Sequence, residues 1–201
     1  MEKISKEGKT EEEVLNEILT ENNLTKEEVV YKTTTKKGKL FKSDVVTVDV
    51  YKKEDLNEEI KDYLNDVVTK LGLEVKFEVS KNEEYYVIKM YSNNNPILIG
   101  RNGNTLRALE EICKAYIKSK YDIYYKITLD VENYRSRKEK GIERLAIRLA
   151  KEVRNTNEQI EMDNMTSYER RIVHNALTNF KGVKTESEGV EPNRHVVIKP
   201  E

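Results

Sequence analysis

A Gly-x-x-Gly loop interrupts helix-like sequence in the segment NPILIGRNGNTLRALEEI, which runs from Asn95 to Ile112. Its two glycines, Gly100 and Gly103, enclose Arg101 and Asn102. Glycine has no Cβ and tolerates positive φ, so the backbone here can approach a ligand closely. The amides that begin the following helix would point at an anion, with the favourable end of the helix dipole behind them. The pattern therefore favours contact with phosphates, with Arg101 supplying a cation and Asn102 a short polar group.

A second candidate pair occurs in MTSYERRIVHNALTNF, where Arg170 and His174 stand four residues apart. On a helix this spacing places both side chains together, with Arg171 alongside, and we expect them to project into solvent opposite the apolar residues. Arginine offers a planar fork for phosphate, and histidine can donate from either ring nitrogen. The same spacing is typical of an ordinary solvated helix face, so the pair indicates phosphate binding only in a suitable context.

Basic side chains gather in the second half of the chain, although its net charge is only −1. Residues 134–154 carry 8 Lys or Arg against 3 Glu. A near-neutral total does not exclude a polyanionic partner when the charge is segregated. We expect this segment to be a helix with an exposed basic stripe that extends a phosphate-binding track, formed by Arg137, Lys140, Arg144, Arg148 and Lys151.

The composition disfavours metal, redox and most catalytic chemistry. With one cysteine and two histidines there is no zinc ligand set and no internal disulfide, and Cys113, among apolar neighbours, is predicted to be a core thiol. No Walker loop or catalytic cluster is present, so we expect no enzyme activity and no cofactor. The sequence contains no apolar run of membrane-spanning length, and its start lacks the apolar core of a signal peptide. We therefore expect a cytoplasmic protein that is not itself a membrane protein.

Three predicted units must position these residues, and the first covers residues 1–53. The run TEEEVLNEILTEN opens with a Thr-x-x-Glu capping box and has one apolar helical face. Two β-rich runs, VVYKTTT and VVTVDVY, flank KKGKLFKSD as the strands of a hairpin would. An α/β module of this size has little core, so we expect it to pack against a partner or a neighbour.

The second unit, residues 54–131, has the predicted order α-β-β-α-α-β, with the Gly-x-x-Gly loop between its second and third helices. A four-residue glycine pattern alone arises easily by chance, but in this order it resembles a type II KH domain, whose loop clamps about four nucleotides of a single strand. The resemblance implies that Gly100, Arg101, Asn102 and Gly103 bind RNA. Tyr124 and Tyr125 are candidates for stacking on bases, although strand tyrosines more often pack.

The third unit covers residues 132–201 and is predicted to contain two helices and a closing hairpin, TESEGVEPNRHVVIKP. Its segments resemble the small domain that binds single-stranded nucleic acid and is named for its spaced arginine and histidine. In that family the pair lies on a phosphate-contacting surface beside a small sheet. The resemblance therefore implies roles in RNA binding for Arg170, Arg171 and His174.

Taken together, the units resemble the bacterial Jag/KhpB family over essentially the whole chain, and they predict an α+β fold of three small domains. The resemblance implies an RNA-binding regulator that acts after transcription, in processes tied to cell elongation, division, the cell wall or sporulation. The implied partners are single-stranded RNA, a small KhpA-like protein with a single KH domain, and the membrane-protein insertase.

Two other classes of function remain open from the sequence. The first is a protein-interaction adaptor at the insertase in which RNA binding is vestigial. The second is a nuclease or nucleotide-using enzyme, which the lack of a catalytic cluster disfavours. The sequence also leaves open the choice between RNA and single-stranded DNA.

Overall fold

The computed structural model describes residues 3–38, 44–81 and 85–201. The chain divides into two compact units, Met1–Glu132 and Asn133–Glu201. Helices and three-stranded sheets occur together throughout, which confirms the predicted α+β class. The first unit contains an N-terminal module, which ends with the third strand, and a central module. None of the helices in the described ranges is long and apolar enough to span a membrane.

The N-terminal module packs one helix on an antiparallel sheet. Its elements are β1 (Ile4–Gly8), α1 (Glu11–Glu21), β2 (Val29–Lys36) and β3 (Val45–Lys52), with strand order β1-β3-β2. Thr10 caps α1 by accepting a hydrogen bond from the Glu13 amide at 3.3 Å. The core is formed by the buried side chains of α1 and β3, Val14, Leu15, Ile18, Val46, Val48 and Val50. The predicted helix and two strands are confirmed, β1 was not predicted, and most of the connection KKGKLFKSD lies outside the described residues.

The central module has the predicted order of elements. These are α2 (Lys53–Lys70), β4 (Val75–Lys81), β5 (Tyr86–Ser92), α3 (Asn95–Ile99), α4 (Asn104–Tyr121) and β6 (Ile127–Val131). The sheet order is β4-β5-β6, with β4 antiparallel and β6 parallel to β5. Alternate residues of β5, Ile88 and Met90, are fully buried. The predicted turn that starts at Lys81 falls largely on residues outside the described ranges.

The ends of α2 show how local sequence sets helix boundaries. Gly72 ends the helix with φ +75°. Its amide donates to the Thr69 carbonyl at 2.9 Å, while the Leu73 amide donates to the Val68 carbonyl at 3.1 Å. This pair of bonds satisfies carbonyls that the last turn leaves open, as predicted from the glycine. The predicted capping role of Asp55 is wrong, because α2 begins two residues earlier and places this carboxylate in its first turn.

The N-terminal module packs against the central module, as its small core led us to expect. The Tyr51 ring is 4% exposed and meets the Tyr121 ring of α4 with centroids 5.4 Å apart. Lys32 of β2 forms an ion pair with Asp122, at the end of α4. The two modules therefore share one compact unit, and the domain boundary after residue 53 stays a prediction.

The C-terminal unit packs two helices against a second antiparallel sheet. Its elements are α5 (Tyr134–Thr156), β7 (Ile160–Glu161), α6 (Ser167–Leu177), β8 (Val183–Glu188) and β9 (His195–Pro200), with strand order β7-β9-β8. The predicted apolar stripe of α5 lies in the core, and its basic stripe is exposed along the whole helix. The predicted closing hairpin is confirmed, while the short strand β7 was not predicted.

Candidate nucleic-acid interface

The Gly-x-x-Gly loop is a tight connection that only glycine can make at its first position. Gly100 ends α3 with φ +69°, a conformation that L side chains rarely adopt. A Cβ at this position would lie 2.1 Å from Thr105 Oγ1 and 2.9 Å from the Thr105 backbone nitrogen. The absence of a side chain therefore lets the loop close onto the start of α4.

The two residues between the glycines both face solvent. Arg101 and Asn102 are exposed, and Asn102 has φ 55° and ψ 19°. Asparagine is one of the few non-glycine residues that adopt this left-handed conformation readily. Gly103 follows at φ 83° and leads directly into α4. The loop thus presents a cation and an amide on a backbone whose shape their neighbours determine.

The start of α4 can bind an anion. The helix has 18 residues, and within the described chain no side chain caps its start and its first turn carries no acidic residue. Backbone N–H groups of a first helical turn have no intrahelical partner, and the helix dipole adds a partial positive charge there. Leu98 before the loop and Leu106 after it are buried and hold the loop on the core. Phosphate can therefore be contacted by the loop and the helix start together.

Arg170 lies in a different environment from the predicted one. Its side chain is only 7% exposed, and Nη1 donates to the Met165 carbonyl at 2.8 Å and to Glu191 Oε1 at 3.0 Å. The prediction that Arg170 projects into solvent is therefore wrong. Residues three apart lie about 60° apart around a helix, so Arg170 shares the side of α6 that buries Val173.

His174 also turns toward the protein, so its predicted projection into solvent is wrong as well. Its Nδ1 lies 2.7 Å from Thr185 Oγ1 and its Nε2 lies 2.9 Å from Ser187 Oγ, both on β8. Partial burial, and then the charge of Arg170, lower the pKa of His174 below its usual value. A histidine whose pKa is lowered is neutral at pH 7, and it gains a charge only in more acidic solution. It therefore links α6 to the sheet as a neutral group.

Arg171 is the member of the predicted trio that stays exposed. It lies on α6, whose start is capped by Thr166 and Glu169 as predicted: the Thr166 hydroxyl accepts from the Glu169 amide, and Glu169 accepts from the Thr166 amide at 2.7 Å. The basic stripe of α5 supplies further exposed cations in the same unit. Phosphate contact in this unit therefore falls to Arg171 and the stripe.

The single thiol and the acidic groups offer no second chemistry. Cys113 is fully buried, as predicted, and burial together with the nearby Glu110 raises the pKa of the thiol to about 12. Across residues 3–38, 44–81 and 85–201, no cluster of three or more His, Cys, Asp or Glu side chains is arranged to hold a metal ion.

Comparison with known proteins agrees with both candidate surfaces. A family model described as the KhpA/KhpB KH domain matches residues 57–129, and a model of the domain named for its spaced arginine and histidine matches residues 140–200. The RNA-binding protein KhpB of Clostridium symbiosum is 30% identical over 203 residues, which cover 98% of this chain and 91% of that protein. This chain belongs to the KhpB family. The predicted resemblance is thereby confirmed.

Two further KhpB relatives show how far the similarity extends. RNA-binding protein KhpB of Bacillus subtilis is 28% identical over 204 residues and is covered along 98% of each chain. The protein of that name from Lactiplantibacillus plantarum is 35% identical over 137 residues, or 68% of this chain and 42% of the relative. The KH match contains the Gly-x-x-Gly loop, and the match to the second domain contains Arg170, Arg171 and His174.

Proposed function

We propose that this member of the KhpB family binds single-stranded RNA without catalysing a reaction on it. The observation that carries the proposal is the loop from Gly100 to Gly103, which closes onto the uncapped start of α4 and presents Arg101 and Asn102 to solvent. Such a loop suits the backbone of a single strand rather than any particular base. The printed names of the relatives, which are RNA-binding proteins, support RNA as the ligand.

The C-terminal unit contributes a second phosphate contact in this proposal. Arg171 and the basic stripe of α5 are exposed and face the ligand. Arg170 and His174 act indirectly, since their hydrogen bonds attach α6 to the Met165–Glu191 region and to β8. They are therefore positioning residues rather than direct phosphate ligands.

The cellular part of the proposal rests on family membership. We place the protein in the cytoplasm as a regulator that acts after transcription, in elongation, division, the cell wall or sporulation. A small KhpA-like protein is the proposed protein partner, which the shared KH family model supports. Crosslinking and sequencing of bound transcripts in the native cell separates this function from an adaptor at the membrane-protein insertase, which would recover no transcripts above background.

The loop is tested by replacing Arg101 and Asn102 together with aspartate. Two carboxylates at these positions repel phosphates, and aspartate tolerates the left-handed conformation of residue 102. Loss of two charge-assisted contacts lowers the affinity for single-stranded RNA by about 100-fold or more. Fluorescence anisotropy with a labelled single-stranded oligonucleotide measures this change, and circular dichroism monitors the fold.

A matched control carries the same change in charge elsewhere in the first unit. Lys9 and Asn16 are exposed at the start of the chain and on α1, and their replacement by aspartate leaves the loop untouched. The control variant retains wild-type affinity if the loop is the contact. Equal affinities of wild type and the loop variant, with both folded, would reject the loop as the RNA-binding site.

A further inference from the structure

A pocket rich in tyrosine lies in the first unit, away from the Gly-x-x-Gly sequence. It has a volume of about 270 Å³ and is formed where β2, the start of β5 and the segment before β6 meet. Five rings line it, and we refer to it as the tyrosine pocket, formed by Tyr31, Tyr85, Tyr86, Tyr124 and Tyr125. Two lysines, Lys53 and Lys126, complete its polar lining, and the described lining residues include no carboxylate.

Adjacent tyrosines in this pocket have opposite environments. Tyr125 is 7% exposed, and its hydroxyl donates to Asn57 Oδ1 at 2.6 Å, so it forms a fixed wall. Tyr124 is 85% exposed, and Lys118 Nζ lies 4.2 Å from the centroid of its ring. The sequence left stacking or packing open for both residues, and the structure divides them: Tyr125 packs, and Tyr124 presents its ring to solvent.

The chemistry of the pocket suits a nucleobase with its phosphate. Bases stack on exposed aromatic rings, and nearby lysines attract the phosphate that accompanies each base. Lys126 Nζ lies 5.5 Å from the centroid of the Tyr85 ring, so cation and aromatic faces alternate at the rim. Pockets for drug-sized ligands begin at about 300 Å³, so this one is suited to a single base rather than a larger molecule.

We propose that the tyrosine pocket binds one nucleobase of single-stranded RNA, with Tyr124 stacking on the base. Lys126 and Lys53 neutralise its phosphate. This inference rests on the proposed function and adds a base contact to the phosphate contacts of the loop. Stacking tolerates any base, so the pocket strengthens binding without demanding one sequence.

The absence of tryptophan from the chain supplies a direct readout. Tyr124→Trp introduces a single indole at the pocket, and its fluorescence changes when a base stacks on it. Oligoadenylate and oligouridylate, both single-stranded, serve as probes of the full-length chain. Tyr91→Trp is the matched control, because Tyr91 is 39% exposed on β5 and donates its hydroxyl to Glu78 outside the pocket. We expect quenching on RNA addition at position 124 and none at position 91.

Affinity measurements test the contribution of the ring. Stacking of one base contributes about 1–3 kcal/mol, so Tyr124→Ala weakens RNA binding by about 5- to 150-fold. Tyr124→Phe keeps the ring and retains wild-type affinity, and Tyr91→Ala retains it as well. Tyr124 is highly exposed, so its replacement leaves the fold intact.

The outcomes separate this inference from the proposed function. Wild-type affinity of Tyr124→Ala together with an unquenched indole at position 124 overturns the tyrosine pocket as a base site. If the Arg101 and Asn102 double variant still loses binding in that case, the proposed function stands. Absence of binding to either RNA by the wild-type chain overturns both.

Discussion

At the scale of residues, Arg170 and Arg171 are neighbours in sequence with opposite surroundings. The first is 7% exposed and hydrogen-bonded to the Met165 carbonyl and Glu191, while the second is exposed on the same helix. An arginine that is already paired inside the protein has few donors left for an outside phosphate. The two residues therefore separate a structural contribution from a binding contribution with the same chemical group.

We predict that alanine at these two positions has different effects. Arg170→Ala leaves the Met165 carbonyl without its donor and lowers the free energy of unfolding by about 1–3 kcal/mol. Arg171→Ala changes that free energy by less than about 0.5 kcal/mol. It reduces the slope of log K against log salt for single-stranded RNA by about 0.7, since one phosphate contact is lost. Chemical denaturation and anisotropy at several salt concentrations measure the two effects.

The opposite pattern would contradict this division. An unchanged salt slope for Arg171→Ala means that this face of α6 does not contact RNA. A neutral effect of Arg170→Ala on unfolding means that its buried hydrogen bonds contribute no net stability. The comparison replaces the expectation that alanine at Arg170 and His174 leaves stability unchanged, since both side chains are bonded to their surroundings.

At the scale of elements, two glycines illustrate opposite constraints. Gly100 connects α3 to α4 at φ +69°, where a Cβ would overlap Thr105. Gly141 lies inside α5, and a Cβ there would meet nothing within 4 Å. The same substitution thus probes a loop that depends on glycine and a helix that does not.

We predict that Gly100→Ala destabilises the first unit and weakens RNA binding, because the loop must move away from the start of α4. Strain at positive φ and the contact with Thr105 together lower the free energy of unfolding by about 1–3 kcal/mol. Gly141→Ala raises the free energy of unfolding of the second unit by about 0.5–1 kcal/mol, because alanine favours the helix. Calorimetry and anisotropy on both variants check these signs. Full RNA affinity in a folded Gly100→Ala chain would show that the loop shape is not required.

The periodic elements were predictable from sequence because their signals are local. The α5 stripe and the Thr166 capping box each follow from spacing within a few turns. Strand β1 has a single large apolar residue, and its pairing with β3 joins Ile4 to Val50, far along the chain. The burial of Arg170 was missed because the i, i+4 spacing was taken to place it opposite the core, although it stands three residues from Val173. The exposure of Tyr124 beside a buried Tyr125 likewise depends on tertiary packing.

At the scale of the whole molecule, Tyr51 connects two modules that the sequence presents as separate. It lies near the end of β3 in the N-terminal sheet and meets Tyr121 of α4. Lys32 and Asp122 pair at the same junction. Modules that share a buried contact of this kind are expected to unfold together rather than one after the other.

We predict that Tyr51→Ala lowers the free energy of unfolding of the first unit by about 3 kcal/mol, the cost of removing a buried aromatic ring. Amide hydrogen exchange becomes faster in both modules of the variant, and protection falls together in β3 and β6 because they open as one unit. Tyr124→Ala, at an exposed ring, is the matched control and leaves protection unchanged. Lower protection in β3 with wild-type protection in β6 would show that the modules unfold independently.

Cys113 has a consequence for how the opening of this protein is followed. Its thiol is fully buried on α4, and its pKa of about 12 keeps the reactive thiolate rare. An alkylating reagent therefore modifies the chain only during moments when the helix leaves the core. Because no other cysteine competes, the rate of labelling counts those moments directly. The native sequence thus contains its own timer for the excursions of the RNA-binding module, and no added probe is needed to read it.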